Sequence, residues 1–376
     1  DHRDLHSFPT RRSSDLIYYL RNSIFLTMKF TFHKVTLKKR FPLAISRGVR
    51  YNSENLFVCY EKDGHIGWGE AAPGNSEGAA TAEAVQEALE NFIATGIEGF
   101  SIQELYDRAR EMKIPPCAYV ALDTAFWDWT AKKAQLPLRQ LLGFSKPHTP
   151  TSVTIGINPP EVIKERVPLL LEGTTVQSLK IKLGSPEGID ADKTMFEQVV
   201  ESTKKYPVKL RVDANGGWDV NQAQHMMQWL ADRKVDYIEQ PLKEGDEAGL
   251  KTLFKSRPLP IYVDESCRFS QNIPSFAAHV DGVNMKLMKC GGITEALRII
   301  GTARAHGLKT MIGCMSESSV AIAAAAAMTG GIDHIDLDSH YNLAPDPAHG
   351  APLINGVTLP PEIPGHGAYL KEEFYA

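Results

Sequence analysis

The sequence predicts an α/β protein, a modified (β/α)8 TIM barrel with an N-terminal α+β capping domain. Two observations carry this. From about residue 150 the chain repeats a short apolar strand, a polar turn and an amphipathic helix, and the eight strand starts lie 22 to 31 residues apart. Before that point the texture changes to alternating strand patterns followed by helices. A chain of 376 residues accommodates a large barrel with a smaller companion, and eight parallel strands alternating with helices close into a barrel.

In chain order, residues 1–27 are read as a non-native or disordered extension. The stretch "DHRDLHSFPTRRSSDL" has no apolar periodicity and resembles translated sequencing-adapter read-through. The apolar run from Ile17 to Leu26 is interrupted by Arg21 and Asn22, shows no small-residue cleavage site and is too short for a membrane span. Met28 is therefore read as the native start. Residues 28–147 form the capping domain, with strands in "KFTFHKVTLK" and "NLFVCYEKDGHIGWGE" and helices near 78–94 and in "CAYVALDTAFWDWTAKKA".

Residues 148–342 form the barrel. Its strands are "TSVTIGI" at 151, "SLKIKL" at 178, "KLRVDAN" at 209, "YIEQP" at 237, "PIYVDES" at 260, "GVNMKLMK" at 282, "KTMIGC" at 309 and "HIDLDS" at 334. Segments such as "DKTMFEQVVESTKKY" and "ITEALRIIGTARAHG" place apolar residues three and four apart, as helices between strands require. Residues 343–376, rich in Pro and Gly, are expected to pack back on the capping domain.

Composition excludes several classes of partner. The 45 acidic and 41 basic residues leave a net charge of −4, which offers no electrostatic reason to bind nucleic acid or an anionic membrane. A small-molecule substrate fits better. The five cysteines are scattered without a CxxC pair, so neither a disulfide framework nor a zinc site is indicated and a reducing, cytoplasmic setting is expected. A homo-oligomer is compatible with the sequence, which does not fix the number of subunits.

Strand parity turns an unusual set of polar residues into the barrel. They are Lys180 and Lys182 on the second strand, Asp213 and Asn215 on the third, Glu239 on the fourth, Asp264 on the fifth, Asn284 and Lys286 on the sixth, and Asp336 and Asp338 on the eighth. Buried charges are rare unless paired or bound to metal. Any one acid reads more plainly as a cap for the helix that follows, and a lone KxK as a solvated edge strand. The recurrence of such residues at equivalent positions of successive repeats favours a site.

Asp213, Glu239 and Asp264 on consecutive strands would repel one another without a cation between them. An all-oxygen set lacking His and Cys points to Mg2+ rather than Zn2+. Lys182 and Lys286 lie on opposite strands of the ring, so a substrate between them would meet one amine on each face. Lys180 is placed to lower the pKa of Lys182 and to help hold negative charge on substrate oxygen. Two such bases imply removal of an α-proton to an enolate and its return on the other face. The outcome is epimerisation.

These motifs, "LKIKLG", "RVDANGGW", "IEQP", "VDES" and "NMKLMKCGGI" in that order and pitch, resemble the enolase superfamily, specifically its muconate-lactonizing subgroup. The resemblance spans essentially everything from Met28 onward. It implies a capping domain whose loops cover the site, Mg2+ as cofactor, and a dipeptide epimerase of the L-Ala-D/L-Glu type that would serve recycling of wall peptides. In such enzymes an acidic pair on the eighth strand, here Asp336 and Asp338, binds the free α-ammonium of the dipeptide; the alternative is that these acids balance nearby lysines. The resemblance also implies substrate contacts from Met315 and Ser316, and from Arg50 in a mobile loop over 42–55, where Arg50 would take a distal carboxylate. Arg47 and Arg50 can equally be solvated, which leaves hydrophobic dipeptides open. N-acylamino acid racemase and o-succinylbenzoate synthase activities, whose substrates lack a free ammonium, are the alternatives on the same scaffold.

Overall fold

The computed structural model describes residues 28–375; the expectation for residues 1–27 lies outside them. The N-terminal part is an antiparallel sheet of β1 (Lys29–Ile45), β2 (Gly48–Lys62) and β3 (His65–Ala71), in the order β1-β2-β3. Against it pack the helices α1 (Ala82–Ala94), α2 (Ile102–Glu111) and α3 (Pro116–Lys133). Local chemistry explains their starts. Thr81 caps α1, Ser101 and Glu104 form a capping box on α2, and Pro116 opens α3 where a missing N–H costs nothing. β3 lies so close to α3 that a Cβ on Gly69 would stand 1.9 Å from the Ala121 carbonyl oxygen, so only glycine fits there.

The expected loop over 42–55 is instead the tip of the β1/β2 hairpin. Pairing continues as Leu43↔Arg50 and Ile45↔Gly48 beyond an irregularity between Lys38 and Leu43. Period-two alternation is weak there because both faces of the tip are largely exposed, so the strand pattern is hard to read from the sequence.

Eight parallel strands follow: β4 (Val153–Ile155), β5 (Ser178–Lys182), β6 (Lys209–Asp213), β7 (Ile238–Glu239), β8 (Ile261–Val263), β9 (Gly282–Lys286), β10 (Lys309–Gly313) and β11 (His334–Asp336). They are neighbours in sequence order from β4 to β11. A parallel bridge from Thr151 to Ile335, with Ser152 N–H donating to the Ile335 carbonyl at 3.0 Å, joins the two ends. All eight expected strands are present, each shorter than its apolar run. Helices α4 (Pro160–Leu171), α5 (Ile189–Thr203), α6 (Val220–Ala231), α7 (Glu247–Ser256), α8 (Ile293–Ala305) and α9 (Ser319–Ala326) cover the barrel. Between β8 and β9 only a single helical turn (Ile273–Phe276) flanked by two 3-10 turns intervenes, within residues 270–279, which is one departure from a regular barrel.

The C-terminal residues touch the N-terminal sheet and α3. His366 donates its backbone N–H to Asp128 at 2.8 Å, Leu138 N–H donates to the Gly365 carbonyl, and the Tyr375 ring packs on His33 and Trp68. Asp123 of α3 accepts hydrogen bonds from the Thr294 backbone and hydroxyl at the start of α8, tying the two parts together. Among the described residues no helix is long and apolar enough to cross a membrane.

Candidate active site

The carboxyl ends of β5 to β9 bring the expected charges together. One oxygen each from Asp213, Glu239 and Asp264 lies within 4.8 Å of the others, and all three residues are buried. Lys182 Nζ donates to Asp213 Oδ2 at 2.6 Å, and Lys286 Nζ pairs with Asp264 Oδ2 at 2.8 Å. β5 and β9 stand four positions apart among the eight strands, so the two amines reach the acids from opposite walls. The barrel ladder explains this: Lys182 pairs in register with Asp213, and Asp213 with Glu239.

Burial, and then the neighbouring charge of Asp213, push the Glu239 carboxyl up to about 8. Burial works against ionised Asp213 and Asp264 too, but the lysines outweigh it: Lys182 and Lys180 hold Asp213 low, and Lys286 and Lys289 hold Asp264 low. Desolvation opposes the Lys286 ammonium, yet Asp264 keeps its pKa above the usual range. A set of three buried carboxylates with oxygen donors alone fits a hard divalent ion such as Mg2+. Positive charge added there would act against the Lys286 ammonium, which rests on Asp264.

Lys180 sits deepest among the acids. It faces inward, but it is fully buried and its ammonium is committed to Asp213 at 3.1 Å, Glu239 at 2.7 Å and Asp336 at 2.7 Å. An ammonium has three donors, and here all three are directed at carboxylates. Lys180 knits β6, β7 and β11 together. Asp336 is correspondingly engaged, accepting from Lys180 and from Ser152 Oγ at 3.1 Å.

Asp338 is freer. It accepts the Thr154 N–H at 2.6 Å, and burial together with Asp336 pushes its carboxyl up to about 6. Both aspartates line a cavity of ≈ 150 Å3 whose wall also includes Lys182, Met315, the apolar Phe41, Leu43, Val153, Leu169 and Leu170, and the cationic Lys39, Arg40 and Arg166. Met315 borders a second cleft as well, beside Lys286, Asp264, Asn215 and Arg47. Ser316 turns away, accepting at its Oγ from Lys39 and at its carbonyl from Asn55, each at 2.8 Å.

Arg50 lies elsewhere. It is exposed on β2 and lines a separate groove with Tyr51, Asn75 and Glu83. The guanidinium that reaches the barrel mouth is that of Arg47, which donates to the Asn215 carbonyl at 3.1 Å and to Glu265 at 2.8 Å.

Several residues escaped the sequence reading. Lys289, 3% exposed, donates to Asp264, and its position in the apolar run "NMKLMKC" was a readable sign. Gln240 accepts the Asp264 N–H at 2.8 Å and, like Asn215, has a positive φ that bends the chain at its strand end. Lys39 and Phe41 arrive from β1, and nothing local to them marks them for the site.

Family models match both parts of the chain. Residues 163–374 match the family described as enolase C-terminal domain-like, and residues 27–143 match the mandelate racemase / muconate lactonizing enzyme N-terminal domain. The chain is 58% identical over 344 residues to the hydrophobic dipeptide epimerase of Roseobacter litoralis, covering 92% of this chain and 99% of that one. Among solved structures it resembles the dipeptide epimerase from Enterococcus faecalis V583 complexed with Mg and L-Leu-L-Tyr, at 32% identity and a TM-score of 0.82, with 90% and 98% coverage. It also resembles a substrate-liganded L-Ala-D/L-Glu epimerase from Bacillus subtilis, at 28% identity and a TM-score of 0.84, again with 90% and 98% coverage.

Proposed function

The chain belongs to the enolase superfamily, and we propose that it is a Mg2+-dependent epimerase of dipeptides with apolar side chains, working by two-base 1,1-proton transfer. The observation that carries the substrate preference is the run of apolar side chains, Phe41, Leu43, Val153, Leu169 and Leu170, in the cavity between Lys182 and the Asp336/Asp338 pair, whose rim also carries Lys39, Arg40 and Arg166. Such a wall gains from apolar contact, and the 58% identical relative, a hydrophobic dipeptide epimerase, supports the reading. An acidic second residue would call for a free guanidinium. Arg40 and Arg166 border the cavity, but both guanidinium groups lie over the Phe41 ring, at 5.3 and 4.7 Å from its centroid, while Arg50 faces another groove and Arg47 is paired with Glu265.

Asp213, Glu239 and Asp264 would hold the ion, which when bound supplies positive charge against the substrate carboxylate and so eases loss of the α-proton. Asp338, with Asp336 beside it, takes the substrate's α-ammonium. One of Lys182 and Lys286 removes the α-proton as a neutral amine, and the other, as an ammonium, delivers a proton to the opposite face. The next turnover in the reverse direction uses them with roles exchanged. Lys180 keeps Glu239 and Asp336 in place. Five free cysteines support a reducing compartment, and a cytoplasmic role in recycling peptides accompanies the proposal.

A panel of dipeptides in D2O with Mg2+, followed by loss of the α-proton NMR signal, tests this. Exchange of Leu- and Tyr-containing dipeptides faster than of Ala-Glu is expected. Exchange confined to N-acetylated compounds would point instead to an N-acylamino acid racemase, and preference for Ala-Glu would overturn the apolar assignment.

A further inference from the structure

Met315 belongs to both lobes of the site, so its position sets the wall between the Lys182 cavity and the Lys286 cleft. The segment that carries it, between β10 and α9, is held partly by itself and partly by the chain after β11: Glu317 accepts the Met315 N–H at 2.6 Å, Ser339 Oγ accepts the Glu317 N–H at 2.8 Å, and Cys314 Sγ lies 3.3 Å from the Asp336 carbonyl. Further holds come from the N-terminal sheet. Asn55 Nδ2 and Lys39 Nζ donate to Ser316, and both Asn55 and Ser318 converge on Glu70.

Glu70 is the hub of this seam. Its Oε1 accepts from Asn55 Nδ2 at 2.7 Å and from Ser318 N–H at 2.9 Å, and its Oε2 accepts from Ser318 Oγ at 2.6 Å and Ala321 N–H at 3.1 Å. The last two residues lie at the start of α9, where free N–H groups and the helix dipole favour a carboxylate. Glu70, Asn55 and Ser318 are all 0% exposed. A carboxyl placed so deep is costly unless its lone pairs are used, and here four donors use them. Neither lysine and none of the three clustered acids touches it.

We propose that Glu70 is a positioning residue, which never meets substrate but fixes the Met315–Ser318 wall from the capping domain. This rests on the reading of the two lobes as the dipeptide site. Because the seam touches the wall and not the proton-transfer groups, loosening it weakens substrate binding more than turnover.

The test uses Glu70→Gln, whose amide presents N–H groups to two donors that now face an oxygen. In the full-length protein with Mg2+, KM for the best dipeptide is expected to rise about tenfold while kcat changes less than about threefold, as for loss of one or two charge-assisted hydrogen bonds. Amide hydrogen exchange over 311–322 should quicken, and exchange over 178–213 should not. Ser318→Ala removes a single donor and should give the same signature more weakly, with Ser318→Thr restoring it, so the question is answered even where Glu70→Gln fails to fold. Unchanged exchange over 311–322 in the folded variants, or a fall in kcat at constant KM, would overturn the assignment. Failure of the unsubstituted protein to exchange any dipeptide would refute the proposed function, while the 311–322 exchange would still decide the role of Glu70.

Discussion

Removing one lysine should separate epimerisation from exchange. Lys182 rests on Asp213 at 2.6 Å and Lys286 on Asp264 at 2.8 Å, from strands on opposite sides of the barrel. If each faces one side of the α-carbon, Lys182→Ala and Lys286→Ala both stop epimerisation, but each leaves one base able to exchange the epimer on its own side. A positioned base contributes about 10²–10⁴-fold, or about 3–5 kcal/mol of barrel-site transition-state stabilisation. The cost to folding is smaller, because Asp213 keeps Lys180 at 3.1 Å and Asp264 keeps Lys289, so neither acid becomes an unpaired buried charge. The assay follows the α-proton of each C-terminal epimer separately in D2O. One variant should exchange only the L-epimer and the other only the D-epimer. Loss of the same epimer in both, or equal loss of both epimers in each, would refute the two-faced arrangement.

Three further outcomes follow from the same geometry. Mg2+ should raise the melting temperature, by about 2.7 kcal/mol of stabilisation at a hundredfold excess over Kd, and Asp213→Asn or Asp264→Asn should abolish the shift; an undiminished shift in both would place the ion elsewhere. Asp338→Asn should weaken free dipeptides about tenfold or more by calorimetry and leave N-acetylated analogues unchanged, since only the former bring an ammonium. Burial pushes Glu317 up to about 8 from its ordinary 4.5, so between those values the folded chain holds a proton that the unfolded chain releases. Stability then falls as pH rises through that window, by up to about 1.4 kcal/mol per unit. Glu317→Gln should flatten the fall in melting temperature between pH 5 and pH 8; an identical slope would show that the carboxyl is not titrating there.

Much of the site was legible because strands alternate. On a strand, Lys180 and Lys182 must share a face, and the same parity rule aligned Asp213, Glu239 and Asp264 at the ends of successive repeats. Lys289 follows β9 in the short helix Leu287–Cys290, where strand parity no longer applies. Lys39 and Glu70 were beyond reach, since their partners lie 277 and 248 residues away along the chain.

By itself the sequence determined the eight strands, the acids at their ends and the facing lysines, because apolar periodicity and strand parity are local properties that survive in one dimension. Tertiary structure decided which amine each acid keeps. Lys180 is tied to Asp336 across the barrel, and the docking of the β1/β2 hairpin brought Arg47, not Arg50, to the barrel mouth. Pairings of this kind depend on how separate elements close on one another, and charges of like sign on neighbouring strands carry no local mark of which partner will be nearest.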